Sequence, residues 1–260
     1  MSRLMAALSK RRFWQRLGCL LLFLGVLITG VLLHDGQQSQ SIVTLPTAIA
    51  FQQFFLRPAP ELADLTPKFE IAWAHPNNYG DRLRFNADGS LVDNEPLIVL
   101  HETVYSAESA VDWFRQGDLG AEAASYHAII RRNGTIISIV PAQDKAYGAA
   151  ESGFPTAEGI ETLYGDPQEP PSVNSFAYHI SLETPLDGQD AELTHSGYTA
   201  AQYRSLAWLI AQTEVPAERI TTHREVDLSG ERIDPRSFER DRLLAQLSQL
   251  RDRLASVPPA

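Results

Sequence analysis

The sequence predicts an α/β domain with a mixed central β-sheet flanked by helices, preceded by an N-terminal apolar segment. Two observations carry this prediction. Runs with the composition of buried strands alternate along the chain with runs of helical periodicity. The dipeptide Asn133-Gly134 joins two β-rich runs, which indicates a hairpin and therefore an antiparallel pair within the sheet.

Four segments are predicted as strands. Leu97–Leu100 is a short continuous apolar run, which fits a strand buried on both faces. Tyr126–Arg132 and Thr135–Val140 are the arms of the predicted hairpin, whose turn is expected to have positive φ at both central positions. Ala177–Glu183 is the fourth predicted strand.

Three segments are predicted as helices. Ser106 is expected to cap the first helix, and Thr199-Ala-Ala-Gln202 has the pattern of a capping box that opens the second. The third is predicted from one apolar stripe of leucines near the C-terminus, at Leu243, Leu247, Leu250 and Leu254.

The charge of the chain is distributed unevenly. The chain has 22 basic and 32 acidic side chains and a net charge of −10. No acidic residue precedes Asp35, whereas five basic residues do, so the rest of the chain carries 17 basic and 32 acidic side chains. An acidic body of this kind argues against binding of nucleic acid through its phosphates.

The run Leu17–Leu33 is apolar apart from Thr29 and three glycines, and it follows a basic cluster. Such a segment is either a signal peptide or a transmembrane anchor. An uncleaved anchor is favoured because the first small-x-small cleavage pattern, Ala48-Ile-Ala50, lies well downstream. The basic flank is expected to stay in the cytoplasm, which places residues 34–260 on the other side of the membrane.

These features divide the chain into four predicted parts. Residues 1–16 form a cytoplasmic basic segment, and 17–33 the anchor or signal segment. Residues 34–93 are expected to be a tether and irregular extension, and 94–255 the compact domain. Cys19 is the only cysteine, so any metal in the compact domain must be held by histidines and carboxylates.

Three residues are candidate metal ligands. His101 follows the first predicted core strand, His223 lies in Thr222-His223-Arg, and Asp234 lies in Asp234-Pro235. Two neutral imidazoles and a carboxylate leave a fourth tetrahedral position open for water, which is typical of a catalytic zinc site. Taken singly, each histidine is more often structural and Asp-Pro is more often a turn.

In order and spacing these motifs resemble the zinc-dependent N-acetylmuramoyl-L-alanine amidase family, which includes phage lysozyme-amidases and peptidoglycan recognition proteins. The resemblance covers residues 94–240. His101, His223 and Asp234 match the three zinc ligands of the family. The segment 125–136 resembles its Tyr-His strand and hairpin, and Asn174 with the strand that follows it resembles its Asn-containing loop and third strand.

The resemblance implies roles for three further residues. Tyr126 matches a tyrosine that lies beside the reactive water in some members, the alternative being a tyrosine that covers the core. Glu183 is the candidate general base, although counting from Asn174 places Ser181 at that position, on the same face of the strand. Arg232 replaces a lysine two residues before the third ligand, which implies electrostatic stabilisation of an oxyanion.

The implied activity is zinc-dependent hydrolysis of the amide bond between N-acetylmuramic acid and L-alanine in peptidoglycan or muropeptides. The domain would face the extracytoplasmic side of a bacterial inner membrane, or be exported. Two alternatives remain, a non-catalytic peptidoglycan-binding receptor of the same fold and a zinc hydrolase of another amide. The sequence leaves open the oligomeric state, the stem-peptide preference, and whether intact wall or released fragments are the substrate.

Overall fold

The computed structural model describes residues 65–165 and 170–256. The predicted anchor at residues 17–33 and most of the predicted tether lie outside the described residues. Within the described part of the chain, no helix combines the length and apolar character that crossing a membrane requires.

The described elements are ten short strands and four α-helices. The strands are β1 (Phe69–Ile71), β2 (Tyr79–Asp81), β3 (Leu97–Glu102), β4 (Ala128–Ile130), β5 (Ile136–Ser138), β6 (Asp144–Ala146), β7 (Phe154–Thr156), β8 (Gly159–Glu161), β9 (Ala177–Leu182) and β10 (Ile220–Thr222). The helices are α1 (Ala107–Phe114), α2 (Ala200–Ala211), α3 (His223–Val226) and α4 (Arg240–Ala255). Short 3-10 turns occur at Pro76–Asn78, Gly120–Glu122, Leu186–Gly188 and Ala217–Arg219.

The main sheet has six strands in the order β1-β5-β4-β9-β3-β10. The β4–β5 pair is antiparallel, and the other four neighbouring pairs are parallel. The predicted mixed sheet, with the hairpin as its antiparallel part, is therefore confirmed.

Helices cover both faces of this sheet. On one face, Leu100, Ile130 and Ile180 belong to a cluster that contains apolar side chains of α2 and α4. On the other face, Ile129 and Ile137 pack against α1. Because successive side chains of a strand point to opposite faces, each central strand contributes to both layers, which explains why β3 and β9 are buried throughout.

The β4–β5 turn differs from the predicted one. Gly134 has a φ of +89°, but Val104 and Ser237 are the non-glycine residues with positive φ in the described chain, so Asn133 has an ordinary φ. The side chain of Asn133 instead accepts a hydrogen bond from the Thr135 amide at 2.9 Å. This local bond and one left-handed glycine suffice to close a loop longer than two residues.

Residues 65–93, predicted to be irregular, contain two short strands. The first, β1, pairs in parallel with β5 at the edge of the main sheet. The second, β2, pairs with β6 in a separate two-stranded sheet. These pairings are long-range contacts. The alternation of apolar and polar residues at Phe69-Glu70-Ile71 is too short to predict a strand, and β2 has no such alternation.

Candidate metal centre

His101 is the fifth residue of β3, and its side chain is fully buried. The four preceding residues, Leu97–Leu100, fill the core on both sides of the sheet. The strand thus carries an imidazole to the carboxyl end of a parallel pair, the edge at which sites cluster in α/β sheets.

His223 reaches the same edge from the neighbouring strand. It follows β10, which pairs in parallel with β3, and it is the first residue of α3. Thr222 and Glu225 form a capping box, in which each side chain accepts a hydrogen bond from the other residue's backbone amide. Because of this cap, the strand ends at Thr222 and the helix begins at His223, which fixes the direction of the His223 side chain.

Asp234 belongs to the loop after α3. Its backbone carbonyl accepts a hydrogen bond from the Arg224 amide at 2.9 Å, so the loop folds back onto the beginning of that helix. The peptide bond to Pro235 is cis. The loop thus returns a carboxylate to the two imidazoles.

The three candidate ligands lie together, with one ligand atom of each within 4.8 Å of the others. Asp234 Oδ1 is 2.9 Å from His223 Nδ1, and Asp234 Oδ2 is 3.4 Å from His101 Nδ1. Burial lowers the pKa of His101 to about 4, so its ring is neutral at pH 7. Burial works to raise the pKa of Asp234, but close contacts with His101 and His223 outweigh it and keep the carboxyl ionised.

The cluster fits a divalent cation. His101 Nδ1 is buried and has no hydrogen-bond partner among the described residues, although it faces the Asp234 carboxylate. A neutral imidazole nitrogen left unpaired beside an ionised carboxylate is what a metal ion would satisfy. Two nitrogens and one oxygen are the donor set that suits zinc.

Tyr126 lies against this cluster, two residues before the start of β4. Its ring stacks on the His101 ring with 4.5 Å between centroids and meets the Phe114 ring edge-on at 5.3 Å. Burial and the charge of Asp234 raise the pKa of Tyr126, so its hydroxyl stays protonated and can donate a hydrogen bond at neutral pH.

Arg232 lies in the same loop as Asp234, and its side chain is exposed. Its backbone amide donates to Asp227 Oδ2 at 2.9 Å, which anchors the start of the segment. Burial is the largest influence on the pKa values of both His101 and Tyr126. The positive charge of Arg232 works to lower both pKa values, but its effect is smaller. Arg232 thus lies two residues before Asp234 in the same loop, and its role toward the cluster stays a prediction.

Glu183 has a different environment. Its two carboxylate oxygens accept hydrogen bonds from the backbone amides of Ala107 at 3.2 Å and Arg132 at 2.8 Å. These bonds tie the first turn of α1 and the hairpin to the end of β9. The contacts give Glu183 a structural role, and the general-base role stays a prediction.

Two groups of polar residues around the cluster were not singled out from the sequence. His179 on β9 is fully buried, and its Nδ1 lies 2.9 Å from His101 Nε2. Glu102, next to His101, is buried and accepts hydrogen bonds from Arg236 Nε at 2.5 Å and the Tyr198 hydroxyl at 2.7 Å. The signal for His179 was present, since it is a histidine inside a predicted strand.

Fold and donor set together define an α/β domain with a cluster of two histidines and one aspartate that could hold a metal ion. Residues 93–237 match the family model described as N-acetylmuramoyl-L-alanine amidase, a match that spans more than half of the chain. The chain belongs to the N-acetylmuramoyl-L-alanine amidase family, as its sequence motifs predicted. It is an enzyme of the class that hydrolyses the amide bond between N-acetylmuramic acid and L-alanine in peptidoglycan.

Several solved structures are similar to the chain. A selenomethionine derivative of AmpD is 23% identical, with a TM-score of 0.48, over 75% of this chain and 97% of that one. LysC, an N-acetylmuramoyl-L-alanine amidase from Clostridium intestinale, is 20% identical, with a TM-score of 0.44, over 70% and 99%. AmpDh3 from Pseudomonas aeruginosa, in complex with an anhydromuramic pentapeptide, is 20% identical, with a TM-score of 0.42, over 65% and 61%. No curated protein matches the chain in sequence.

Proposed function

We propose that this amidase acts with a zinc ion held by His101, His223 and Asp234. The observation that supports the proposal is the convergence of these three ligand atoms within 4.8 Å at the ends of neighbouring strands. When bound, zinc supplies a Lewis acid that acidifies water and polarises a carbonyl group. Asp234 contributes the negative charge that compensates the cation, and the buried, neutral His101 contributes an unprotonated nitrogen.

The surrounding residues act on the reacting amide. Hydrolysis adds water to the carbonyl carbon, breaks the C–N bond and transfers a proton to the leaving amine. We assign to the protonated hydroxyl of Tyr126 the task of orienting the water or donating a hydrogen bond to the oxyanion. We assign to Arg232 electrostatic stabilisation of the same negative charge, since a guanidinium keeps its proton and cannot act as a general acid.

Loss of the first ligand tests the site. The full chain is expected to bind zinc stoichiometrically, and His101→Ala is expected to lose both zinc and hydrolysis of purified muropeptides. Zinc is measured by elemental analysis and products by mass spectrometry. His75→Ala is the control, because His75 caps a 3-10 turn and accepts a hydrogen bond from the Asn77 amide, outside the ligand cluster.

Each contrary result has a separate meaning. Stoichiometric zinc on His101→Ala would show that the ligand assignment is wrong. Zinc on the unaltered chain without cleavage of sacculi or muropeptides would favour a receptor. Cleavage of unrelated acyl amides in preference to muropeptides would favour a hydrolase with another substrate.

We further propose that residues 17–33 anchor the chain in the inner membrane, with the amidase domain on the extracytoplasmic side. The support lies in the sequence, in the basic flank and the absence of a nearby cleavage pattern. Protease added to spheroplasts is expected to digest the domain. A mature N-terminus near Asp35 or Phe51 would instead show a cleaved export signal.

A further inference from the structure

The ring of His179 lies behind the ring of His101, on the side away from Asp234. His179 Nδ1 is 2.9 Å from His101 Nε2, while His101 Nδ1 faces Asp234 Oδ2 at 3.4 Å. Both histidines are fully buried, on the neighbouring parallel strands β9 and β3. The two nitrogens of His101 therefore have different partners, a second imidazole on one side and the ligand cluster on the other.

This arrangement determines which nitrogen of His101 is able to bind a metal. A neutral imidazole has one protonated nitrogen and one with a free lone pair, and only the second is a ligand. Since Nδ1 faces the cluster, metal binding requires the proton on Nε2. The partner that the structure offers to a proton on His101 Nε2 is His179 Nδ1. A neutral His179 that accepts this proton carries its own proton on Nε2, which is buried and has no hydrogen-bond partner among the described residues.

The surroundings hold the His179 ring in this position. A Cβ atom at residue 148 would lie 2.4 Å from the ring, so glycine lets the backbone approach it closely. The His127 ring is parallel to the His179 ring, with 5.8 Å between centroids. In addition, His127 Nδ1 accepts a hydrogen bond from the His179 backbone amide at 2.9 Å. The His179 ring therefore has little room to move within this site.

We propose that His179 is a positioning residue, whose Nδ1 accepts the Nε2 proton of His101 and thereby keeps His101 Nδ1 free for the metal. The inference rests on the proposed zinc site. Metal-binding histidines usually donate their second N–H to a carboxylate, a carbonyl or water. Here an uncharged imidazole takes that place, so the ligand is oriented without adding negative charge.

Zinc affinity of two variants tests the proposal on the full 260-residue chain in detergent, by competition with a chelator. His179→Leu removes the acceptor and is expected to weaken zinc binding by about 10- to 100-fold, the usual effect of losing such a partner. His179→Asn places an amide oxygen close to the position of Nδ1 and is expected to restore most of the affinity. If His179→Leu binds zinc as tightly as the unaltered chain, the inference is wrong.

Ile180→Ala is the matched control. Ile180 neighbours His179 on β9 and is equally buried, but its side chain packs in the apolar cluster on the opposite face of the sheet. It is expected to reduce fold stability while lowering zinc affinity much less than His179→Leu. Equal losses of affinity in the two variants would mean that His179 acts only through the core.

Nitrogen NMR of the unaltered chain gives a second readout that does not depend on how a variant folds. With ¹⁵N-labelled histidine and zinc, His101 is expected to carry its proton on Nε2 and the metal on Nδ1. A proton on His101 Nδ1 would overturn the inference even if zinc binds. If the unaltered chain binds no zinc at all, the proposed function and the inference both fail. If it binds zinc but carries the proton on His101 Nδ1, only the inference fails, so the two failures are distinguishable.

Discussion

The buried histidines of this domain differ in role because their ring nitrogens have different hydrogen-bond partners. The rings of His101, His127 and His179 are all shielded from water. His127 uses both nitrogens on the backbone, accepting from the His179 amide and lying 3.1 Å from the Asp144 carbonyl oxygen. Of these three rings, only that of His101 directs an unpartnered nitrogen at a carboxylate, which distinguishes it as a candidate ligand.

Tyr126→Phe tests the role of the hydroxyl. The substitution keeps the ring that stacks on His101 and contacts Phe114, so zinc affinity and stability are expected to change little. The rate of muropeptide hydrolysis is expected to fall by about 10²-fold, the size of a lost acid–base or oxyanion contact. Nearly full activity of this variant would leave Tyr126 with a packing role.

Glu183→Gln is expected to act mainly on stability. A glutamine offers one oxygen where the Ala107 and Arg132 amides now use two, so one of these partly exposed hydrogen bonds is expected to be lost, at a cost of about 1 kcal/mol. Urea denaturation measures this loss, and hydrolysis is expected to suffer less than in Tyr126→Phe. A variant with normal stability and zinc but crippled hydrolysis would instead establish Glu183 as the general base.

At the scale of single elements, two capping boxes allow a matched experiment. Thr222 caps α3, which carries His223, and Thr199 caps α2, which covers the opposite face of the sheet. Replacing either threonine with alanine is expected to cost about 1 kcal/mol of stability. Only Thr222→Ala is expected to weaken zinc binding as well, because it frees the first residue of α3.

The comparison uses urea denaturation for stability and chelator competition for zinc. Unchanged zinc affinity in Thr222→Ala would show that β10 alone positions His223. A loss of affinity in Thr199→Ala that equals the loss in Thr222→Ala would show that the site responds to overall stability.

Local signals explain which elements the sequence predicted. The Ser106 cap of α1 and the capping box of α2 consist of neighbouring residues, and both helices begin where predicted. Strand β1 depends on pairing with β5, far along the chain, and was missed. The hairpin was predicted from Asn133-Gly134, but its turn type depends on where Asn133 places its side-chain oxygen.

The same distinction applies to the site. His101, His223 and Asp234 were recognised because three motifs in a given order are visible in one sequence, and the structure brings them together. The bond between His179 and His101 depends on the register of β9 against β3. No pattern within either strand specifies that register, so the contact was not accessible to sequence reasoning.

At the scale of the whole molecule, the buried histidines predict acid sensitivity. Burial keeps the pKa values of His127 and His179 well below the ordinary value in the folded chain. The unfolded chain binds a proton on each near pH 6.5, so the free energy of unfolding is expected to fall as the pH drops below that value. The loss approaches about 1.4 kcal/mol per pH unit for each such histidine.

Urea denaturation between pH 5 and pH 7.5, with a chelator present to exclude metal effects, measures this dependence. His127→Phe is expected to reduce the slope by the contribution of one proton. A free energy of unfolding that stays constant from pH 7 to pH 5 would contradict the assignment of neutral buried imidazoles.

The ligand cluster joins parts of the chain that are distant in sequence. His101 lies near the end of β3 and His223 directly follows β10, the edge strand of the main sheet, yet their ring centroids are 4.6 Å apart. A cation held by both would therefore close a long loop, as a disulfide does in other small domains. A chain whose single cysteine is Cys19 has no covalent link of that kind to offer. The stability of the amidase domain and its activity would then depend on the same bound cation. Removing that cation would lower the free energy of unfolding and stop the reaction.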